Sequence, residues 1–387
     1  MNLFETEEER TFRASVSAWM AQHLCGEFEP LRHAGALGAS GESAALAKRW
    51  EQQLAAGGWT GLGWPRQHGG PELPLAQQVI FHEEYVRCGG PGRLGHIGET
   101  LLAPTLMAHG TPELQARFLP GILSGETYWA QGYSEPGAGS DLAAVRTRAR
   151  LDPNSGDWVI DGQKVWTSWA HESDWIFVLA RCEAGSVRHK GLVLLLVPLR
   201  QPGVSLRPIR QITGESEFNE VFFEGARTEG SLHLGAPGQG WAVAMDLLAC
   251  ERGASTLGQQ AHFRHELAQV VAVARKNGAA QNPVLRQRLA QAALGLQTLR
   301  SHALRTSGEN ADVRAASISK YAWSNWRRSL GELAMDVLGP EGDLASDDPL
   351  HAALQRLWLV SRADTIYAGS NEIQCNLMAE RALNMPR

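Results

Sequence analysis

The sequence predicts an α+β protein in which a helical first part, a strand-rich middle and a helical last part follow one another. Three observations predict it. Apolar residues recur at helical spacing up to about Tyr128. The period then shortens to alternation and brief apolar runs, punctuated by Gly and Pro as in a small barrel or sandwich. From Gly240 the helical spacing returns and lasts nearly to the C-terminus. This order disfavours a doubly wound sheet, whose strands and helices alternate throughout. The chain accordingly divides into residues 1–127, 128–238 and 239–387.

Each element has a local signal. Thr6 to Glu9 forms a capping box ahead of an apolar stripe at Phe12, Val16, Trp19 and Met20. Leu46 to Ala56 and Leu75 to Cys88 continue in helical style, and Gly57 to Pro74, rich in Gly, Pro and Trp, reads as an ordered loop. Thr111-Pro112-Glu113 is a helix start, with a cap and then proline at the first helical position. In the middle part Val145 to Leu151, Trp158 to Asp161 and Phe218 to Phe223 alternate, whereas Trp175 to Ala180 and Leu192 to Val197 are solidly apolar. The last helical part breaks at Asn277-Gly278, around Gly308 and at Gly339 to Pro349.

Composition narrows the function. The 387 residues suffice for two or three domains, and 43% hydrophobic with 20% charged residues is ordinary for a globular protein with a large core. A net charge of -5 argues against a nucleic-acid groove. The five cysteines lie far apart without metal or redox spacing, which fits a reducing cytoplasm. The acidic start MNLFETEEER is not that of a signal or transit peptide, and the longest apolar run, Gly191 to Pro198, is too short to span a bilayer. Dinucleotide, phosphate-loop, nucleophile-elbow and zinc-protease motifs are absent from the sequence.

Two stretches carry chemistry. Trp129 to Leu142 (WAQGYSEPGAGSDL) is a loop dense in small and hydrogen-bonding residues at the start of the strand-rich part. Gly137 and Gly139 allow backbone amides to approach a ligand, and the Ser134 and Ser140 hydroxyls suit a ring edged with carbonyls and nitrogens; an elaborate turn would use the same residues. Gly162 to Ser168 (GQKVWTS) is a strand in which Trp166 either joins the core or presses its face on a flat cofactor, while Thr167 or Ser168 bonds the cofactor's edge.

Ser134 to Asp141 followed by Gly162 to Ser168 resembles the paired signature of the acyl-CoA dehydrogenase family. The likeness extends to His109-Gly110-Thr111, to Gly238-Gln-Gly-Trp241 and to Ile366 to Gln374 (IYAGSNEIQ). The resemblance implies an N-terminal helical domain, a middle β-barrel and a C-terminal four-helix bundle. It implies FAD along Gln131, Tyr133, Ser134, Gly139 and Ser140, flanked by Trp166, Thr167 and Ser168, with Ser370 and Glu372 towards the adenosine end. It further implies an acyl-CoA substrate touched by Ser140, Arg252 and the Ala368 backbone amide, and reoxidation by an electron-transfer flavoprotein. The length favours a dehydrogenase over the longer oxidases of the same superfamily.

Abstraction of an α-proton from a thioester needs a carboxylate in a dry pocket. Many family members carry that glutamate after the C-terminal tyrosine, where this chain has Ala368. A subset places it on the first long helix of the bundle before an arginine, and Glu251-Arg252 matches that pattern. In a continuous helix Glu251 shares a face with Ala244, Leu248, Ala254, Ser255 and Gly258, small or apolar residues that suggest room for a bulky acyl chain.

Three further departures concern the distal half of the cofactor. The family's Arg-x-Phe-Gly element reads Arg275-Lys-Asn-Gly278, the glycine-rich turn reads Asp336 to Gly342 (DVLGPEG), and Glu372 stands where many members have glutamine. They suggest an α2β2 heterotetramer with a second dehydrogenase-like chain, of the kind found in a bacterial branch acting on sterol side chains, as the alternative to a homo-oligomer (dimer or tetramer). Two other functions fit the same fold: a nitroalkane oxidase or flavin monooxygenase reaction, and a non-catalytic subunit that completes a partner's site. A visible spectrum separates the last from a flavoprotein.

Overall fold

The capping box opens helix α1 (Glu7–His23). Thr6 Oγ1 accepts from Glu9 N at 3.2 Å, and Glu9 Oε2 accepts from Thr6 N at 2.8 Å. In this computed structural model, residues 5–34, 41–250, 255–306 and 318–386 are described. Helices α2 (Glu42–Ala56) and α3 (Leu75–Arg87) follow, then a π-helical turn over Ile97–Leu102 that runs into α4 (Ala103–His109). Thr111 caps α5 (Pro112–Leu123), its hydroxyl accepting from Leu114 N at 3.4 Å.

The chain forms two compact units, Met1–Gln78 with Cys88–Gly253, and Val79–Arg87 with Ala254–Arg387. The first holds an eight-stranded sheet. Its strands are β1 (Trp129–Gly132), β2 (Arg148–Leu151), β3 (Trp158–Ser168), β4 (Trp175–Arg181), β5 (Leu192–Pro198), β6 (Val204–Ile209), β7 (Phe218–Thr228) and β8 (His233–Gly238). They pair in the order β6-β7-β3-β2-β4-β5-β8, with β1 parallel to β4.

The solidly apolar runs are explained by burial on both faces. Phe177 and Leu179 of β4 and Leu192, Leu194 and Leu196 of β5 pack with residues of the N-terminal helices and of α6 (Gly240–Cys250). The intervening Ile176, Val178, Ala180, Val193, Leu195 and Val197 share a second core with Trp158, Ile160, Val221 and Phe223, so the sheet folds back on itself. Strands β6 and β8 lie at the two ends of the pairing path and carry Pro208 and Pro237 inside them, where an end strand tolerates a missing donor.

In the second unit α7 (Ser255–Lys276), α8 (Pro283–Thr306), α9 (Ile318–Leu338) and α10 (Pro349–Asp364) surround one core. Phe263, Leu267, Val270 and Ala274 from α7 meet Leu289, Leu296 and Leu299 from α8, Trp323, Leu330 and Val337 from α9, and Leu354 and Leu357 from α10. A short helix, α11 (Asn371–Leu377), follows. Among the described residues no helix is long and apolar enough to cross a membrane.

Helices α9 and α10 approach closely at Gly331, where an added Cβ would lie 2.6 Å from Ser361 Oγ and 3.1 Å from the Trp358 Cα. Gly331→Val is therefore expected to cost about 2 kcal/mol through overpacking. Urea unfolding checks this, and an unchanged midpoint would contradict the close approach.

Candidate active site

The glycine-rich loop and strand β3 are joined by a buried ion pair. Glu135, 8% exposed, and Lys164, fully buried, meet at 2.8 Å. The Glu135 carboxylate also accepts from Arg146 N at 2.6 Å and Thr147 N at 2.9 Å, and Lys164 Nζ donates to Tyr133 O at 3.0 Å. Val165 N donates to Ser134 O at 2.9 Å, which completes the seam. Burial alone would raise the Glu135 pKa, but Lys164 and the hydrogen bonds outweigh it and hold the carboxyl below its ordinary value of 4.5. Burial draws Lys164 down to about 8 against the pull of Glu135, so both groups are charged at neutral pH.

Beyond Lys164, β3 bulges. Lys164 pairs with Val221 and Thr167 with Asn219, leaving one extra residue on β3. Trp166 takes up the bulge in the left-handed region at φ 59° and stands 58% exposed, with only the edge of Phe218 beside it at 6.0 Å. Its reading as a core residue is thus ruled out. Thr167 is fully buried, its carbonyl bound by Asn219 Nδ2 at 3.1 Å, and among the described residues its Oγ1 has no partner.

The remaining loop residues sit on the same seam. Gln131 lies half-buried on β1, and Tyr133 is buried edge-on to Phe177 at 5.8 Å. Ser134 and Ser168 are half-buried, while Gly139 and Ser140 are exposed. Neither Gly137 nor Gly139 has a positive φ, and an added Cβ at either would meet nothing within 4 Å. Internal packing does not require glycine there, and the open space is what a closely approaching group needs. A bare aromatic face, an unpartnered buried hydroxyl and a cradle of open glycines fit the flat, hydrogen-bonding ring of FAD.

A second group of expected residues lies on the bundle unit. Ala368 occupies the left-handed region at φ 51°, followed by Gly369 at 84°. Ser370 caps α11, its hydroxyl accepting from Ile373 N at 3.4 Å, and Glu372 is exposed in that helix's first turn. Arg275 is exposed at the end of α7. In the place of the family's phenylalanine, Asn277 donates to Val337 O at 2.8 Å, and Gly278 at φ 83° makes the turn. Glu341 lies 3.8 Å from His351 Nδ1.

Glu251, Arg252 and Ala254 lie outside the described residues. The room expected at Gly258 is taken: an added Cβ there would sit 3.3 Å from the His82 ring.

The Glu135–Lys164 pair was not read from the sequence, although Lys164, the one charge in Gly162 to Ser168, was its signal. Nor was Asp364, fully buried at the end of α10, whose carboxylate accepts from Arg327 Nη1 at 3.1 and 3.0 Å and from Tyr367 Oη at 2.9 Å.

Comparisons with known proteins identify the family. The family models for the acyl-CoA dehydrogenase N-terminal, middle and C-terminal domains match residues 6–126, 130–226 and 238–383. The chain belongs to the acyl-CoA dehydrogenase family. It is 54% identical to acyl-CoA dehydrogenase IpdE1 of Mycobacterium tuberculosis over 378 residues, 97% of each chain. The corresponding IpdE1 of Mycolicibacterium smegmatis is 52% identical over 98% of each chain. Among solved structures, the Tcur3481-Tcur3483 steroid ACAD superposes with a TM-score of 0.87 at 29% identity, covering both chains fully. The ChsE4-ChsE5 complex from Mycobacterium tuberculosis gives 0.84 at 26%, again over both full chains. This acyl-CoA dehydrogenase is an oxidoreductase of a family whose cofactor is FAD.

Glu135→Gln is expected to cost this dehydrogenase about 3 kcal/mol near neutral pH, by leaving Lys164 buried without its charge partner. The carboxyl's pKa is depressed, so its contribution is complete above 4.5 and is lost as pH falls below that value. Urea unfolding of wild type and variant should therefore converge on acidification, and a gap that stays constant into acid would exclude the pair as its source.

Proposed function

We propose that the chain oxidises the Cα–Cβ bond of an acyl-CoA thioester to the trans-2-enoyl-CoA, with Glu251 as the base that removes the α-proton. The observation that carries this reading is the C-terminal turn. Ala368 brings no carboxylate to it. Of the acids nearby, Asp364 is committed to Arg327 and Tyr367, and Glu372 lies exposed on α11. The proton acceptor is then supplied from elsewhere in the chain, and Glu251-Arg252 is the sequence pattern that supplies it.

The other roles are those that the family resemblance implies. The Ala368 N–H, on an exposed turn, donates to the thioester carbonyl as negative charge builds on its oxygen. Ser140 touches the pantetheine arm, and Arg252 holds the CoA end. Gln131, Tyr133, Ser134, Gly139 and Ser140 line the cofactor ring, and Trp166, Thr167 and Ser168 flank it, with Ser370 and Glu372 towards the adenosine. FAD, when bound, supplies the acceptor for the β-hydride, and an electron-transfer flavoprotein takes the electrons onward.

Glu251→Gln is expected to retain FAD and lose acyl-CoA oxidation on the order of 10³-fold, because the essential base is gone. Flavin absorbance and anaerobic bleaching measure the two separately. A variant that turns over within about tenfold of wild type would refute the assignment.

The solved steroid ACAD and the ChsE4-ChsE5 complex support a second proposal. In it, this chain assembles with a different dehydrogenase-like subunit and accepts a bulky, ring-bearing acyl-CoA. The Arg275-Lys-Asn-Gly278 departure agrees with a partner that supplies an arginine to the cofactor. Native mass spectrometry and a bleaching panel of short, long, branched and ring-bearing acyl-CoAs test this. A stable homomer with one FAD per chain that prefers short linear substrates would overturn it.

A further inference from the structure

The turn that carries Ala368 is strained and is clamped from behind. A non-glycine residue in the left-handed region costs about 1–2 kcal/mol and persists where its surroundings over-determine it. Among the described residues neither the Ala368 nor the Gly369 N–H has an acceptor, while the carbonyls of both are taken by Gln374 Nε2 at 3.3 and 3.4 Å. The turn thus commits its two carbonyls to Gln374 and leaves two N–H donors without a partner among the described residues, on an exposed Ala368.

One face of α9 supplies the clamp. Lys320 Nζ donates to the Asp364 backbone carbonyl and lies over the rings of Trp323 and Tyr367, at 5.6 and 5.5 Å from their centroids. Arg327, seven residues or about two turns further along the same side, bridges Asp364 to Glu266 of α7, the latter through Nη2 at 2.6 Å. Ser324 and Asn325 hold Asn371 on the far side of the turn, each through a contact of 3.2 Å. Tyr367, the residue before Ala368, is therefore gripped twice, its hydroxyl by Asp364 and its ring by Lys320.

We propose that Tyr367, Asp364, Arg327 and Lys320 form a positioning frame that fixes the direction of the Ala368 N–H, and so sets how strongly it polarises the thioester carbonyl. The inference rests on the functional reading above. A buried charged network costs more than apolar packing of the same volume, and its return here is directional hold on a backbone that would otherwise relax. None of the four acts on the substrate directly; each works through the turn.

The test uses the FAD-loaded enzyme, with Tyr367→Phe and Lys320→Met as independent variants. The probe is the carbonyl-labelled enoyl-CoA corresponding to whichever acyl-CoA bleaches the wild-type flavin best. The expected result is a kcat lowered about tenfold with KM changed less than about twofold, the pattern of an interaction made in the transition state. The infrared C=O band of the bound probe, displaced to lower wavenumber in the wild type, should move back towards its position in water in both variants. If the variants keep the wild-type kcat and C=O band, or lose only thermal stability, the frame is structural and the proposal falls while the functional reading stands. If no acyl-CoA bleaches the wild type, the functional reading fails and the frame falls with it.

Discussion

The geometry of the glycine-rich loop and strand β3 depends on one buried ion pair. Glu135 and Lys164 lie in different motifs, 29 residues apart, and join the glycine-rich loop to the bulged strand. Removing two charges from water costs several kcal/mol each. Here the cost is offset by a full set of hydrogen bonds: two backbone N–H groups and an ammonium on the carboxylate, and a carbonyl on the ammonium. An apolar pair would fill the same volume but could not hold the Tyr133 carbonyl or the Arg146 and Thr147 amides in direction. The loop and the bulge consequently behave as one body.

The bundle unit repeats the device with other residues. Arg327 is bound between Glu266 and Asp364, and burial would lower its pKa were it not for those two carboxylates, which hold it up. Asp364 is itself raised by burial, against the pull of Arg327 and Tyr367. In each unit a buried ionic hub stands directly behind a non-glycine residue at positive φ, Trp166 at 59° in one and Ala368 at 51° in the other. Local strain of this kind survives only where rigid neighbours enforce it. In the proposed reaction these are the two places where the chain must present a group at a set angle, an aromatic face in one case and a backbone N–H in the other.

The proposed relocation of the base would have a simple physical consequence. A carboxylate at position 368 would place negative charge on the turn whose amide is proposed to meet a developing oxyanion. With alanine there, the turn offers a donor alone. The lack of an acceptor for the Ala368 and Gly369 amides among the described residues, with their carbonyls bound by Gln374, agrees with that division of labour.

The architecture was legible in the sequence because its signals are local. The capping box at Thr6, the Thr111-Pro112 start and the shift from helical spacing to short apolar runs each depend on neighbours within a few residues, and each element stands where those signals placed it. Strands β1, β6 and β8 were not read from the sequence: β1 is four residues without alternation, Pro208 cuts short the Val204 to Arg207 alternation of β6, and β8 is broken by Gly235, Pro237 and Gly238. The two motifs likewise suggested a ligand site by their residue types. What only the tertiary structure decided was which of those residues face outward and what holds them. Trp166 could not be separated from a core tryptophan until the bulge turned it out, Gly258 could not be known to face His82, and Lys164 could not be paired with Glu135 or Asp364 with Arg327. Propensity and capping act along the chain, whereas burial and ion pairing join residues far apart in it, and only the folded backbone brings those together.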